Sequence, residues 1–449
     1  MRQALALLLL LAALPASLAA QDRVESALEE LDRALANETS LASPTRDALR
    51  GVVEALREER RNAPAGGSSV LEPLEALQAE IAAAPSLARY KAERGFPRLR
   101  FSGDFRYRFE ASVDQDDRPD RYRQRVRFRF NSEFAINDEV TVNARLVTGD
   151  PDDPNSPHQT LGSVFDKFPV SLDRVNVVYR PTWAPGLSAT LGKFGHDFRS
   201  NPVYGELVWD ADVQAEGARI DYVWKGDGAI ERLEFRAGLY VVLESGGGDD
   251  AFAFVGQAAG VFALAEDLHL AAAASYYHWT DTTPDGALGA LADNAGNVTV
   301  DRDLDGTIDD YASDFGILDA FLALTYDGWS IPVTVSGEVI WNHRAANDRD
   351  LGWSAGLALG RDKAKGDWKF FYAYSSIEQD AVFSPVAQDD FLLQTNHQSH
   401  VVGVNYMLDD SVGLRLWALI SARDTLGTTA TTDSDDDQFR IRLDLNISF

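Results

Sequence analysis

The last twelve residues of the chain, from Gln438 to Phe449, read QFRIRLDLNISF. Apolar and polar residues take turns along this stretch: Phe439, Ile441, Leu443, Leu445, Ile447 and Phe449 alternate with Arg440, Arg442, Asp444, Asn446 and Ser448. Because successive side chains of a β-strand point to opposite faces, the alternation predicts a strand with one apolar and one polar face.

Similar two-faced segments recur along the chain back to about residue 98. The sequence offers no partner layer that could cover all of their apolar faces. A sheet can expose such a face to lipid if it closes on itself, because closure leaves no strand edge unpaired. The pattern therefore predicts an all-β transmembrane barrel of about 16 antiparallel strands, preceded by a short α-helical or coiled-coil region.

Composition narrows the class of protein further. The chain has 449 residues, no cysteine, a net charge of -28 and 45% hydrophobic residues. This hydrophobic content argues against a bundle of membrane-spanning helices, and the acidic balance argues against nucleic acid as a partner. The longest apolar run, Ala4 to Leu14, is shorter than the ~20 residues of a spanning helix. It follows Arg2 and leads to Ala19 and Ala20, so it predicts a signal peptide over residues 1–20.

Residues 21–97 have helical rather than strand periodicity. Val24, Leu28, Leu31 and Leu35 are spaced by four, three and four residues, which is typical of a coiled-coil seam. A two-helix hairpin, an oligomeric coiled coil and a disordered linker all remain compatible with these short apolar stripes. We expect this region to lie in the periplasm, where it could reach toward the cell wall.

Sixteen candidate strands follow between residues 98 and 449. They are Arg98–Glu110, Arg121–Phe134, Glu139–Thr148, Leu172–Arg180, Leu187–Phe198, Gln214–Trp224, Ile230–Val242, Ala251–Leu264, Leu268–Trp279, Gly316–Tyr326, Ile331–Trp341, Leu351–Gly360, Trp368–Glu378, Ser399–Met407, Val412–Ser421 and Gln438–Phe449. Their connections alternate strictly between short turns and longer, usually acidic loops. That alternation is typical of an outer-membrane barrel with short periplasmic turns, so we expect both ends of the barrel domain in the periplasm.

Arginines occupy one face of the first two predicted strands. They include Arg100, Arg106, Arg108, Arg123, Arg125, Arg127 and Arg129, and the opposite face is largely aromatic and aliphatic. Because an arginine facing lipid near the midplane costs ~2–4 kcal/mol, we expect these side chains to line the lumen. They could form a basic pore wall that attracts anions, or pair with inward acids such as Asp104, Glu110 and Glu133. Asp319 and Glu338 could form an acidic wall opposite.

The segment Arg199–Val213 is less polar than the other long loops. An apolar loop of this size is expected to pack against other parts of the protein, because large apolar surfaces are rarely left exposed to water. We therefore predict that it folds into the barrel mouth as a constriction, with Glu206, Asp210 and Asp212 near the narrow part. Partial strand structure or a subunit contact are the alternatives.

The longest predicted loop contains an acidic motif. Asp301, Asp303, Asp305, Thr307 and Asp309 lie at spacings that resemble the start of a calcium-binding loop, with Gly306 at the turn. Ala312 stands where such a loop has its bidentate glutamate, so the motif is incomplete. A calcium site and a solvated acidic loop are both compatible with this sequence.

No catalytic constellation is evident. None of the seven histidines lies at a spacing typical of a zinc site, and no glycine-rich phosphate loop follows a predicted buried strand. We therefore predict that the protein is not an enzyme and needs no organic cofactor.

Three motifs and the terminal strand resemble the putative porin family of Gram-negative bacteria. The motifs are Leu207–Asp210 before Gly217, Asp173–Tyr179 and Trp368–Tyr374. The resemblance implies a passive outer-membrane channel for small hydrophilic solutes or ions, in which the terminal strand carries the assembly signal, and a homotrimer. A plugged barrel that tethers the outer membrane through its helical region, or an outer-membrane enzyme, are the alternatives.

Overall fold

The computed structural model describes residues 98–114, 119–246, 250–283, 296–302, 304, 310–391, 394–424 and 437–449. The predicted signal peptide and the predicted helical region, residues 1–97, lie outside this described part and stay predictions.

The described residues contain sixteen long β-strands, numbered here in chain order. They are β1 (Leu99–Asp114), β2 (Arg121–Ala135), β3 (Val140–Thr148), β4 (Val170–Tyr179), β5 (Leu187–Gly195), β6 (Gln214–Lys225), β7 (Ile230–Leu243), β8 (Ala251–Ala265), β9 (Leu268–Thr280), β10 (Gly316–Tyr326), β11 (Val333–Asn342), β12 (Leu351–Gly360), β13 (Trp368–Ile377), β14 (His397–Asp409), β15 (Val412–Arg423) and β16 (Gln438–Ser448). A two-residue segment, Gln159–Thr160, pairs with β2 beside β3.

Each strand pairs antiparallel with its neighbours in the chain, and β1 pairs with β16. The β1–β16 register runs from Asp104 opposite Ser448 to Asp114 opposite Gln438. The sheet is therefore closed, and the predicted antiparallel barrel of sixteen strands is confirmed. Within the described ranges, no helix has the length and apolar character needed to cross a bilayer.

The terminal strand shows which face of the sheet points outward. Ile441 and Leu443 are 49% and 45% exposed, whereas Arg442 and Asp444 are 2% and 0% exposed. The exposed side chains are thus apolar and the buried ones are charged, the reverse of a water-soluble sheet. This inversion is what a barrel in lipid requires, because its outer face contacts hydrocarbon and its inner face holds the polar groups.

The connections alternate in length around the barrel. Residues 266–267 link β8 to β9 and residues 410–411 link β14 to β15, whereas residues 281–315 link β9 to β10. One predicted strand, Leu187–Phe198, is too long, because β5 ends at Gly195. The side chain of His196, the next residue, packs among aromatic rings of other elements instead of continuing the strand ladder.

Gly103 of β1 is where the chain end closes the seam. Its N–H donates to the carbonyl of Phe449 at 2.9 Å, and the N–H of Phe449 donates back at 3.0 Å. A Cβ at Gly103 would lie 2.3 Å from the carbonyl oxygen of Arg129 and 2.6 Å from the Phe449 ring. The missing side chain therefore lets the terminal ring lie over β1, stacked 6.1 Å from Phe128.

We expect Gly103→Ala to destabilise the folded barrel by about 1–3 kcal/mol, because the new methyl group overpacks the seam. The measurement is the urea midpoint of unfolding in detergent, followed by heat-modifiable gel mobility. The control is Gly228→Ala, where a Cβ would meet no atom within 4 Å. Equal midpoints for the two variants would contradict the role assigned to Gly103.

Candidate pore constriction

Residues 196–213, here the constriction loop, cross the inside of the barrel. The Asn201 side-chain amide donates to Glu338 of β11 at 2.9 Å, and Val203 packs against Gly356 of β12. At the other end, Asp212 accepts a hydrogen bond of 3.1 Å from Arg129 of β2. The loop is therefore fixed to two distant parts of the wall.

The constriction loop starts from an aromatic anchor. The His196 ring stacks on Trp209 with ring centroids 4.2 Å apart. Its Nδ1 and Nε2 lie 3.1 Å and 3.3 Å from the hydroxyl oxygens of Tyr240 and Tyr277. Because both ring nitrogens have partners and one ring face is covered, the imidazole fixes the direction in which the loop leaves β5.

A second loop, described over residues 378–391 and 394–396, also packs inside the barrel; we call it the inner loop. Its residues from Gln379 to Gln388 are almost completely buried. Asp390 forms an ion pair with Arg442 and accepts a 2.9 Å hydrogen bond from the Tyr204 hydroxyl. The two inward loops are thus joined to each other and to β16.

The inward position of the inner loop was not predicted from the sequence. The signal for it was present, because residues 381–387 read AVFSPVA and are mostly apolar in a long connection. The same composition indicated an inward position for the constriction loop.

A polar cluster fixes the inner loop near the β9–β10 connection. The Asn297 side-chain amide donates to the carbonyl oxygens of Gln379 and Val382, both at 2.9 Å. Asp380 accepts from the Ser313 hydroxyl at 2.7 Å. Asn297 and Asp380 are fully buried. Loss of the hydrogen bonds of either side chain would therefore leave polar groups unpaired and out of contact with water.

Most arginines of the first two strands are paired with inward acids. The Asp444 carboxylate accepts two hydrogen bonds from the Arg108 guanidinium, at 2.7 Å and 3.0 Å, in a bidentate contact. Asp104 forms ion pairs with Arg127 and Arg129, both at 2.7 Å. Glu110 forms ion pairs with Arg123 and Arg442.

Three of the predicted pore-lining arginines lie away from the central cavity. Arg100 is exposed at the start of β1, 3.4 Å from Glu133, and borders a separate polar cavity of about 460 Å³. Arg125 is covered by residues 155–158 and donates to the Ser156 hydroxyl at 2.8 Å. Arg123 is held by Glu110.

The central cavity has a volume of about 510 Å³. Arginines from β1, β2 and β15 border one side, namely Arg106, Arg108, Arg127, Arg129 and Arg415. Asp319 of β10 and Glu338 of β11 border it from the far part of the wall, and the two inward loops add Glu206, Asp210, Asp212, Asp389 and Asp390. The cavity therefore has a cationic side and an acidic side, and the constriction loop forms part of its lining.

Three loop carboxyls in this cavity, those of Glu206, Asp210 and Asp389, are shifted toward the neutral form. Burial, with the neighbouring carboxylates of Asp390 and Asp212, raises the pKa of Glu206 to about 8. Burial and Asp390 raise the pKa of Asp389 to about 6. Asp390 is also buried, but Arg442 holds its pKa below the usual value. Near neutral pH, Glu206 therefore adds little negative charge to the cavity.

Most of the predicted calcium loop lies outside the described residues. Asp303, Asp305, Thr307 and Asp309 lie outside the described residues, and Asp301 is at the edge of the gap. In the described ranges, no group of three or more His, Cys, Asp or Glu side chains is arranged to hold a metal ion. Calcium binding stays a prediction.

A family model described as "Putative porin" matches residues 110–307 and 318–449. Among curated proteins, none matches the chain in sequence.

The fold is similar to those of solved bacterial porins. The high-pH structure of Pseudomonas putida OprB has a TM-score of 0.53 and 14% identity, and the match covers 81% of this chain and 96% of that one. An anion-selective porin from Comamonas acidovorans has a TM-score of 0.46 and 11% identity, over 78% of this chain and 99% of that one. Identities this low indicate a shared fold only.

We expect Gly356→Val to lower the single-channel conductance, because its side chain would push Val203 and the constriction loop toward the arginine side. A Cβ at Gly356 would lie 2.8 Å from Val203 and from the Ser336 hydroxyl oxygen. The control is Gly337→Val on the adjacent strand, where the nearest atom to a Cβ is 3.9 Å away. Conductance steps that are the same in both variants would show that the loop does not limit conduction.

Proposed function

Because the chain belongs to the putative porin family, we propose that it forms a passive channel for small hydrophilic solutes or ions. The family and the porin-like fold support an outer-membrane location and a channel rather than an enzyme. The observation that carries the proposal is the cavity of about 510 Å³ inside a closed barrel, bordered by arginines on one side and carboxyls on the other. In the proposed orientation, the short turns and the helical region face the periplasm.

The arginine side of the cavity is proposed to set which ions enter. Fixed charges that line a narrow pore raise the local concentration of counter-ions. Here part of the arginine charge is neutralised by Asp104 and Asp444. The carboxyls of the inward loops therefore decide the remaining balance, and two of them titrate in an accessible pH range.

We expect refolded protein to give steady conductance steps in planar bilayers and to lose anion preference as the pH rises from 5 to 9. Glu206 and Asp389 have raised pKa values, so both are neutral at low pH and each adds a negative charge as it ionises. The measurement is the reversal potential in a salt gradient at each pH.

In this experiment Glu206→Gln should reduce the change above about pH 7, because the variant lacks the carboxyl whose pKa burial raises to about 8. Glu139→Gln is the matched control, since Thr182 hydrogen bonds lower the pKa of Glu139 in an exposed turn. A reversal potential independent of pH would refute the role of the loop carboxyls.

A plugged structural barrel is the second candidate. The dense packing of the inner loop, in which Phe383 contacts Trp279 at 4.4 Å between ring centroids, favours a lumen with little free cross-section. A folded barrel that shows no conductance would favour this candidate over the channel.

We also propose that copies of this chain associate, as a homotrimer, through the face formed by β3–β6. Lys193 and Glu216 form a 2.8 Å ion pair on this outer face, next to outward-facing Ile220. A lysine that faces lipid near the midplane costs ~2–4 kcal/mol. Burial of Lys193 against a polar surface of a second copy of the chain is therefore more favourable than exposure to lipid. β3 and β5, with nine residues each, are also the shortest of the long strands.

We expect Leu191→Cys to cross-link between subunits with a bis-maleimide, because Leu191 is 55% exposed on this face. The control is Val339→Cys, which is 57% exposed on β11. The natural chain has no cysteine, so each variant carries a single reactive thiol. Cross-linking through position 339 but not through position 191 would move the interface to the other side of the barrel.

A further inference from the structure

Within the described residues, the guanidinium group of Arg415 of β15 has no hydrogen-bond acceptor. It borders the central cavity, and its Nε is buried with no hydrogen-bond partner. Among the described residues, no carboxylate lies within ion-pair distance of it. An arginine has five N–H donors in a planar fork, so Arg415 brings to the border of the cavity donors that no described carboxylate uses.

Aromatic rings hold this guanidinium in place. Its central carbon lies 4.1 Å from the centroid of Trp417 and 4.7 Å from that of Phe371. The two rings meet over Gly403, where a Cβ would lie 2.5 Å from the Phe371 ring and 2.8 Å from the Cβ of Trp417. Ring faces attract a cation without accepting its in-plane hydrogen bonds, so this support leaves the donors of Arg415 available.

Arg106 of β1 is the second cation with unused donors on this cavity. Its Nε donates to the Asn446 side-chain oxygen at 2.7 Å, and among the described residues it has no carboxylate partner. The other arginines that border the cavity are all ion-paired: Arg108 with Asp444, Arg127 and Arg129 with Asp104, and Arg199 with Glu234. Only β16 separates β15 from β1, so Arg106 and Arg415 are on the order of 10 Å apart at the backbone.

The surroundings select the kind of anion that fits. Asp390 and Asp444 are near enough to act electrostatically on Arg415, and their negative charges disfavour a doubly charged anion. Val208, Trp209 and Tyr277 border the same cavity and offer apolar and aromatic surface. A planar carboxylate matches the arginine fork, and an organic group attached to it could pack on these side chains.

We propose that Arg415 and Arg106 form a binding subsite for small organic monocarboxylates in the lumen, an inference that rests on the proposed channel function. The carboxylate accepts hydrogen bonds from the free edge of one or both guanidiniums, and the organic group faces the constriction loop. Binding replaces water on donors that the protein itself leaves unused.

The test is the block of the KCl current by benzoate, with benzoate binding to the detergent-solubilised barrel measured in parallel by calorimetry. We expect Arg415→Gln to weaken benzoate binding about ten- to hundredfold, because it removes charge-assisted hydrogen bonds. Arg415→Lys keeps the charge but lacks the fork, and we expect it to weaken binding nearly as much. Arg100→Gln is the control, because Arg100 lies outside this cavity.

The outcomes separate the subsite from the channel. Normal KCl conductance with the same benzoate affinity in the wild type and in Arg415→Gln overturns the subsite and leaves the channel intact. Full binding by Arg415→Lys overturns recognition by the fork, and phosphate that binds as tightly as benzoate overturns the monocarboxylate class. If the wild type does not conduct, the channel function fails, and calorimetry alone then decides the subsite. Heat-modifiable mobility checks that each variant is folded.

Discussion

Closure of the sheet is the constraint on which the rest of this structure depends. A backbone N–H or C=O group without a partner in hydrocarbon costs several kcal/mol, so the first and last strands must pair. β1 and β16 do so, and Gly103 and Phe449 exchange backbone hydrogen bonds at the end of that seam. Once the pairing register is fixed, each strand side chain is fixed on either the lipid face or the lumen face of the sheet. A slip of one residue in β16 would turn the buried Arg442 and Asp444 into the lipid.

The same alternation concentrates charge inside the barrel. The β1–β2 register sets Arg106 opposite Arg127 and Arg108 opposite Arg125, and like charges directly opposite each other destabilise a sheet. Carboxylates from neighbouring positions offset this repulsion, as Asp444 does for Arg108. The acids of the wall therefore act first as counter-charges for folding. Only the cations that remain unpaired are free to act on a solute.

Periodicity predicted the strands because a two-residue repeat of apolar side chains, sustained over so many segments, matches the geometry of β-strands and not that of helices. It failed where a loop continues the same repeat. Phe194, His196 and Phe198 alternate like a strand, yet His196 bonds to Tyr240 and Tyr277 and so starts the constriction loop. The apolar composition of residues 199–213 predicted the inward position of the constriction loop. The inner loop carries the same apolar signal, and its burial against Trp279 follows from the same reasoning.

The pairing of the arginines could not be predicted, because it depends on the register between strands that are distant in sequence. Periodicity indicates that Arg108, Arg415 and Asp444 face inward, but it does not indicate that they share one row across three strands. In that row a single carboxylate stands between two guanidiniums. Asp444 accepts a bidentate pair of hydrogen bonds from Arg108 and a 3.2 Å hydrogen bond from the Trp417 indole N–H. Arg415 instead packs its guanidinium against the aromatic rings. The number of unpaired arginine N–H donors in the lumen thus depends on how many carboxylates the strand register places beside each arginine. The local sequence pattern does not contain this information, because the register joins strands that are distant in the chain.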